Sequence, residues 1–130
     1  MQDSIFTKII NGEIPCHRVY EDEKVIAFLD IHPINPGHTL VVPKKQIDHL
    51  WDLNDDDYHY LMSVAKHIAE NIRKTLNPPR VGLLVEGFAI PHCHVHVIPF
   101  YQGDDVKKHQ DLNAEPDHSA LSEMASKLYL

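Results

Sequence analysis

Apolar residues recur along this chain with two periods, two and near 3.6, and the changes of period divide it into elements. Ile5 and Ile9, with Phe6 and Ile10 beside them, predict a short helix over Ser4 to Ile10 that Asn11-Gly12 ends. Cys16 to Glu21 and Lys24 to Asp30 read as strands, and the Asp22-Glu23 turn between them predicts a hairpin. His32-Pro33-Ile34-Asn35-Pro36-Gly37 is a stiff loop that leads into a third strand, His38 to Pro43. Lys44 to Leu53 is a polar connector. The capping run Asn54-Asp55-Asp56-Asp57 then opens a long amphipathic helix. Its apolar face is Leu61, Val64, Ala65, Ile68, Ala69, Ile72 and Leu76, and Asn77-Pro78-Pro79 stops it. Arg80 to Glu86 reads as a fourth strand, Gly87 to Pro91 as a turn, and His92 to Phe100 as a fifth strand. The order predicts an α+β fold, a five-stranded, mainly antiparallel sheet with one long helix and one or two short ones. Residues 1–103 form the expected domain. Residues 104–130 form a polar extension, with a short helix over Asp117 to Leu130 carried by Leu121, Met124 and Leu128.

The fifth strand stands apart from the others. In His92-Cys93-His94-Val95-His96-Val97-Ile98-Pro99-Phe100 the alternation puts three imidazoles on one face. Their ring nitrogens need partners, so the row is a poor way to build a core. Three readings are open. One is a hydrogen-bonded histidine ladder with no chemistry. A second is a metal site completed by His38, although three in-line side chains spread over about 13 Å. The third is nucleophilic and acid–base catalysis, with His94 as nucleophile because it has a neighbour on each side.

Composition narrows the partners. At 130 residues the chain is long enough for one self-sufficient core. The net charge of −7 disfavours a broad nucleic-acid surface but not a small anionic ligand held by imidazoles and N–H groups. Cys16 and Cys93 show no disulfide or zinc spacing. The N-terminus shows no signal-peptide pattern and no apolar run can span a bilayer, so a cytoplasmic setting without membrane contact is expected.

With these residues in view, three segments resemble the histidine triad (HIT) family, in particular its Hint-like branch. They are Ile5-Phe6-x-x-Ile9-Ile10-x-Gly12-Glu13-Ile14-Pro15, then Phe28-x-Asp30-Ile31 through Pro36-Gly37-His38-x-Leu40-Val41-Val42-Pro43-Lys44, then His92-x-His94-x-His96. The resemblance runs in order to about Tyr101, and residues 104–130 have no counterpart. It implies a nucleotide-binding fold, a homodimer whose two sheets join, and hydrolysis or transfer at the α-phosphate of a purine nucleoside monophosphate derivative. By position, Asp30 accepts from the ribose hydroxyls. Ile5, Phe6, Ile9, Phe28 and Ile31 form the base pocket. His94 forms a nucleotidyl-histidine, His92 and His96 orient it and contact the phosphate, and His38 lies beside them. By side-chain type alone, Ile5, Ile9, Phe28 and Ile31 fit plain core better than a base pocket, and Asp30 also fits a turn cap. A dinucleoside polyphosphate hydrolase and a non-catalytic nucleotide-sensing module are the alternatives.

The chain departs from the family pattern at three places. Val85 stands where an Asn is frequent, and the short Phe88-Ala89-Ile90-Pro91 lacks the Gly-Gln-Ser or Gly-Gln-Thr element. Both bear on how a leaving group is recognised. Ser4 and Thr7 replace the Cys-x-x-Cys of zinc-bearing members, so no structural zinc is expected there, and neither a cofactor nor a catalytic metal is expected.

Overall fold

The computed structural model describes residues 2–130; Met1, where the N-terminal reading begins, lies outside them. In chain order the elements are α1 (Ile5–Ile10), β1 (Arg18–Glu21), β2 (Val25–Leu29), β3 (Thr39–Pro43), α2 (Asp55–Leu76), β4 (Arg80–Leu84), β5 (Val95–Phe100) and α3 (His118–Leu128). Short 3-10 turns occupy Leu50–Asp52 and Gly103–Lys107. The strands form one antiparallel sheet in the order β1-β2-β3-β5-β4. The fold is therefore α+β, as the patterning predicts. Among the described residues no helix is long and apolar enough to cross a membrane.

Each helix starts at a side-chain cap. Ser4 Oγ accepts from Thr7 N–H at 3.0 Å, Asn54 Oδ1 from Asp57 N–H at 2.8 Å, and Asp117 Oδ1 from Ala120 N–H at 3.0 Å. The three aspartates of the first turn of α2 sit at the positive end of its dipole, and Asn77 closes it in the left-handed conformation at φ 51°. Gly37, at φ 99°, turns the loop into His38, and a Cβ there would lie 2.7 Å from Leu76 Cδ1.

All five residues of β2 and of β3 are buried, because both faces of the sheet are covered. On one face Val25, Ala27, Leu29, Val41, Val95 and Val97 meet Leu61, Val64, Ile68 and Ile72 of α2. Leu121, Ala125 and Leu128 of α3 enter this same core, so the chain beyond residue 103 contributes to it. Asn71 of α2 donates to the Leu128 carbonyl at 2.8 Å, and Leu130 N–H donates to the Val19 carbonyl at 2.8 Å. The other face carries a smaller cluster, Phe6, Ile26, Phe28, Leu40 and Val42, under α1. Register places His96 on this second face, since Phe28 pairs with Leu40 and Leu40 with His96.

The histidine strand is shorter than its alternation predicts. It begins at Val95, so His92 and His94 lie in the lead-in rather than in the ladder. The reason is local hydrogen bonding. His92 N–H goes to the Ile90 carbonyl at 2.8 Å and Cys93 N–H to the Ile47 carbonyl at 2.7 Å, neither of which is a ladder partner. The three rings are therefore held by three different environments, not by one pleat.

Candidate active site

The site lies on the second face, between α1, the loop after β2, the end of β4 and the histidine segment. A cavity of about 570 Å³ opens there. Of the residues expected from sequence, Ile5, Phe6, Ile9, Phe28, Ile31, Asp30, His94 and His96 all line it. His38 and His92 do not. They are 1% and 0% exposed and stand behind the lining residues.

Hydrogen-bond partners determine which imidazole nitrogen carries a proton. His94 Nδ1 lies 2.8 Å from the His92 carbonyl, which only accepts, so Nδ1 holds the hydrogen and Nε2 keeps a lone pair. Phe6 packs edge-on against this ring, with centroids 4.9 Å apart. His38 Nδ1 accepts from Ile34 N–H at 3.0 Å, so its proton is on Nε2, which donates to His96 Nδ1 at 2.8 Å. His96 must then be protonated on Nε2. Among the described residues that nitrogen is the buried side-chain polar atom without a partner. An orphaned N–H of this kind is expensive to keep buried, and a ligand acceptor would satisfy it. The arrangement thus offers a lone pair on His94 and a donor on His96, with ring centroids 5.0 Å apart.

Charge follows burial. Desolvation, together with the neighbouring imidazoles, brings His38 down to about 3 and His96 down to about 4, so both are neutral near pH 7. Burial also lowers His92, against the Pro43 hydrogen bond, which favours its protonated form. Burial raises the Asp30 carboxyl, opposed by hydrogen bonds from His32 N–H and the Gln110 side chain and by the nearby imidazoles. Cys93 is pushed up to about 11 by burial, which leaves it an unreactive thiol.

Several contributors were not foreseen. Ser4 Oγ, beyond capping α1, lies 2.7 Å from His92 Nδ1. Because His92 Nε2 donates to the Pro43 carbonyl at 2.8 Å, Nδ1 is the acceptor and Ser4 the donor. Gln46 Oε1 takes Ser4 N–H at 2.8 Å and the Thr7 hydroxyl at 2.6 Å. Both nitrogens of His92 are thus engaged away from the cavity, and its carbonyl holds His94 Nδ1. Ser4, Thr7, Gln46 and His92 thus form one hydrogen-bonded network. Its sequence signal is Ser4 and Thr7, three positions apart at the start of α1; nothing local marks Gln46. Residues of the C-terminal segment, Gln110 among them, also reach the cavity.

Among the described residues, two groups have ligand atoms close enough to hold a metal ion, Asp30 with His38 and His96, and Glu86 with His94 and His96; within each, the atoms lie within 4.8 Å of one another. In the first group the nitrogens facing each other are already joined by the His38–His96 hydrogen bond.

Comparisons with known proteins bear on the family and the fold. The HIT domain family model matches residues 11–103. A HIT-like protein of Methanocaldococcus jannaschii is 46% identical over 104 residues, covering 77% of this chain and 81% of that protein. The solved structure of a hypothetical histidine triad nucleotide-binding protein from Sulfolobus tokodaii superposes with a TM-score of 0.83 at 33% identity, covering 95% of this chain and 88% of that one. A HIT family hydrolase from Legionella pneumophila gives a TM-score of 0.66 at 32% identity, covering 77% of this chain and 95% of that one. An antiparallel five-stranded fold with His92, His94 and His96 in series, matched over this length at this identity, places the chain in the histidine triad family.

Proposed function

We propose that the protein is a nucleotide hydrolase or transferase acting at the α-phosphate of a purine nucleoside monophosphate derivative, a phosphoramidate or an adenylate, through a nucleotidyl-His94 intermediate. The observation that carries this reading is the pairing of tautomers in one cavity, a lone pair on His94 Nε2 beside an unpartnered N–H on His96. Ile5, Phe6, Ile9, Phe28 and Ile31 supply an apolar slot suited to a purine, and Asp30 an acceptor suited to ribose hydroxyls.

In the first step the His94 Nε2 lone pair attacks phosphorus. A P–N bond forms while the bond from phosphorus to the leaving group breaks. The Nδ1–H of His94 stays on the His92 carbonyl, which stabilises the positive charge developing on the ring. His96 Nε2–H donates to a phosphoryl oxygen, whose charge it stabilises. An acyl leaving group departs as its carboxylate and needs no proton; an amine takes one from water at the cavity mouth. Water then attacks phosphorus, the P–N bond to His94 breaks, and the proton of the attacking water passes to solvent. Phosphoryl transfer suits such a site because positioning and charge stabilisation dominate it.

A homodimer fits the same reading. Strand β4 is a sheet edge, and Leu83, Leu84 and Val85 on and after it are exposed. Light scattering of the purified protein tests this, with a twofold mass expected.

The catalytic reading is tested by incubation with adenosine phosphoramidate and with an acyl-adenylate, following AMP release. Turnover of either supports it. Tight AMP binding without turnover points to a nucleotide-sensing module, and preferential cleavage of diadenosine polyphosphates points to a dinucleoside polyphosphate hydrolase.

A further inference from the structure

Asp30 is 8% exposed, and each of its oxygens already has a partner. Oδ1 accepts from His32 N–H at 2.9 Å, a local turn contact. Oδ2 accepts from the Gln110 side-chain amide at 2.7 Å, across 80 positions of sequence. The same Gln110 Nε2 donates to the His32 carbonyl at 3.0 Å, so both of its hydrogens are committed. Gln110 is thereby a bridge from the C-terminal segment to the loop after β2, and it brings Lys108, His109 and Leu112 to the cavity wall. Residue 110 lies outside the span that the family model matches, residues 11–103.

The bridge does not close the cavity. With Gln110 in place about 570 Å³ remain, inside the range of roughly 300–1,000 Å³ common for small-molecule sites. A ligand therefore has no need to evict the segment. What the bridge does is restrict the carboxylate. A carboxylate has about four acceptor positions, of which His32 and Gln110 take one on each oxygen. His38 Nε2 and His96 Nδ1 also stand near Oδ2, at 3.6 and 3.9 Å, too far to be hydrogen bonds, so each oxygen keeps acceptor capacity in a direction set by the two donors that hold the carboxylate plane. Two acceptors at fixed separation are what a vicinal diol requires from one carboxylate.

We propose that Gln110 is a positioning residue for sugar specificity: by bridging Asp30 and the His32 carbonyl it holds the Asp30 carboxylate oriented for a ribose 2′,3′-diol. The proposal rests on the reading of Asp30 as the ribose acceptor. It makes the C-terminal segment a wall of the nucleoside site and gives that segment a part in choosing ribonucleotides over deoxyribonucleotides. Gln110 itself needs no contact with the ligand.

The test is equilibrium binding of AMP and 2′-deoxy-AMP to the full chain and to the variants Gln110→Ala, Gln110→Asn and Asp30→Asn. Gln110→Asn keeps the amide but is one methylene too short for the bridge, and the half-buried position makes either Gln110 substitution mild for folding. The full chain is expected to prefer AMP. Both Gln110 variants should lose about tenfold in AMP affinity, the order of one charge-assisted hydrogen bond, while 2′-deoxy-AMP, which keeps only the 3′-hydroxyl for Asp30, loses clearly less, so the preference shrinks. Asp30→Asn should lose the preference altogether. A parallel loss for both ligands in the Gln110 variants would reduce the residue to a structural tie and overturn the proposal. So would tighter AMP binding, which would make Gln110 a competitor for Asp30. If Asp30→Asn keeps the full preference, the ribose assignment of Asp30 fails. If Asp30→Asn loses it and the Gln110 variants do not, the proposal about Gln110 alone fails.

Discussion

The two faces of this sheet solve different problems with the same strands. Beneath α2 and α3, alternate residues of β2, β3 and β5 are aliphatic and pack against Leu61, Val64, Ile68 and Ile72. Beneath the six-residue α1, the intervening residues include His96 and Phe28, and His38, His92, His94 and Asp30 flank them. The first face excludes water and needs only shape. The second buries four imidazoles and a carboxylate, and each must be partnered. Nearly every nitrogen is, and the exceptions are His94 Nε2 and His96 Nε2, on the two histidines that line the cavity. Burial stabilises one face and imposes tautomers on the other.

The comparison can be broken from either side. Leu61, fully buried in the aliphatic core, should cost about 2–5 kcal/mol when changed to Ala. Denaturant unfolding measures the loss, and nucleotide binding per folded molecule should be unchanged; a matching loss of binding would couple the faces. Acid should act through the histidine face. His38 titrates near 3 in the folded chain and near 6.5 unfolded, so its contribution is full above pH 6.5 and is lost as pH falls toward 3. The His38 share of the stability should therefore drop by about 1 kcal/mol per pH unit between pH 6 and pH 4, and His96, brought down to about 4, steepens the loss in the same range; denaturant unfolding at a series of pH values reads it. The His38→Phe variant should show a shallower acid slope. Asp22 contributes to the acid response at lower pH. Burial alone would raise its carboxyl, but hydrogen bonds from Tyr20, Tyr60 and two backbone N–H groups bring it to about 2. Its share is present above the usual carboxylate value and lost as pH falls toward 2.

The smallest expected effect concerns the network behind His92. Changing Ser4 to Ala removes the α1 cap and the donor to His92 Nδ1, at a cost of about 1 kcal/mol. Nucleotidylation should slow while AMP affinity holds, since Ser4 supports His92 and does not line the cavity. Equal slowing and weakening would mean that α1 itself has shifted.

Most of the aliphatic face was legible in the sequence, because local pattern writes it: the α2 stripe from Leu61 to Leu76 and the apolar runs of β2 and β3 need no partner to be read. The second face was legible where chemistry is concentrated, at His92, His94, His96, His38 and Asp30. It was illegible where distant residues complete it. Ser4 and Gln46 are 42 positions apart, and Asp30 and Gln110 are 80 apart, and no local pattern encodes such pairs. The strand start was misplaced for a related reason. Alternation reports an extended backbone, but only a ladder partner makes it a strand, and Cys93 N–H bonds Ile47 instead. The polar composition of residues 104–117 hid a segment whose glutamine reaches the cavity, while the apolar stripe of α3 announced a helix without saying that it enters the core.

The most direct test of the account is mass spectrometry of the protein quenched during reaction with adenosine phosphoramidate, beside the His94→Ala variant. The account predicts an AMP adduct mapped to His94, and neither adduct nor AMP release in the variant, which should unfold at nearly the same temperature. Continued AMP release by folded His94→Ala, or an adduct on another residue, would contradict it.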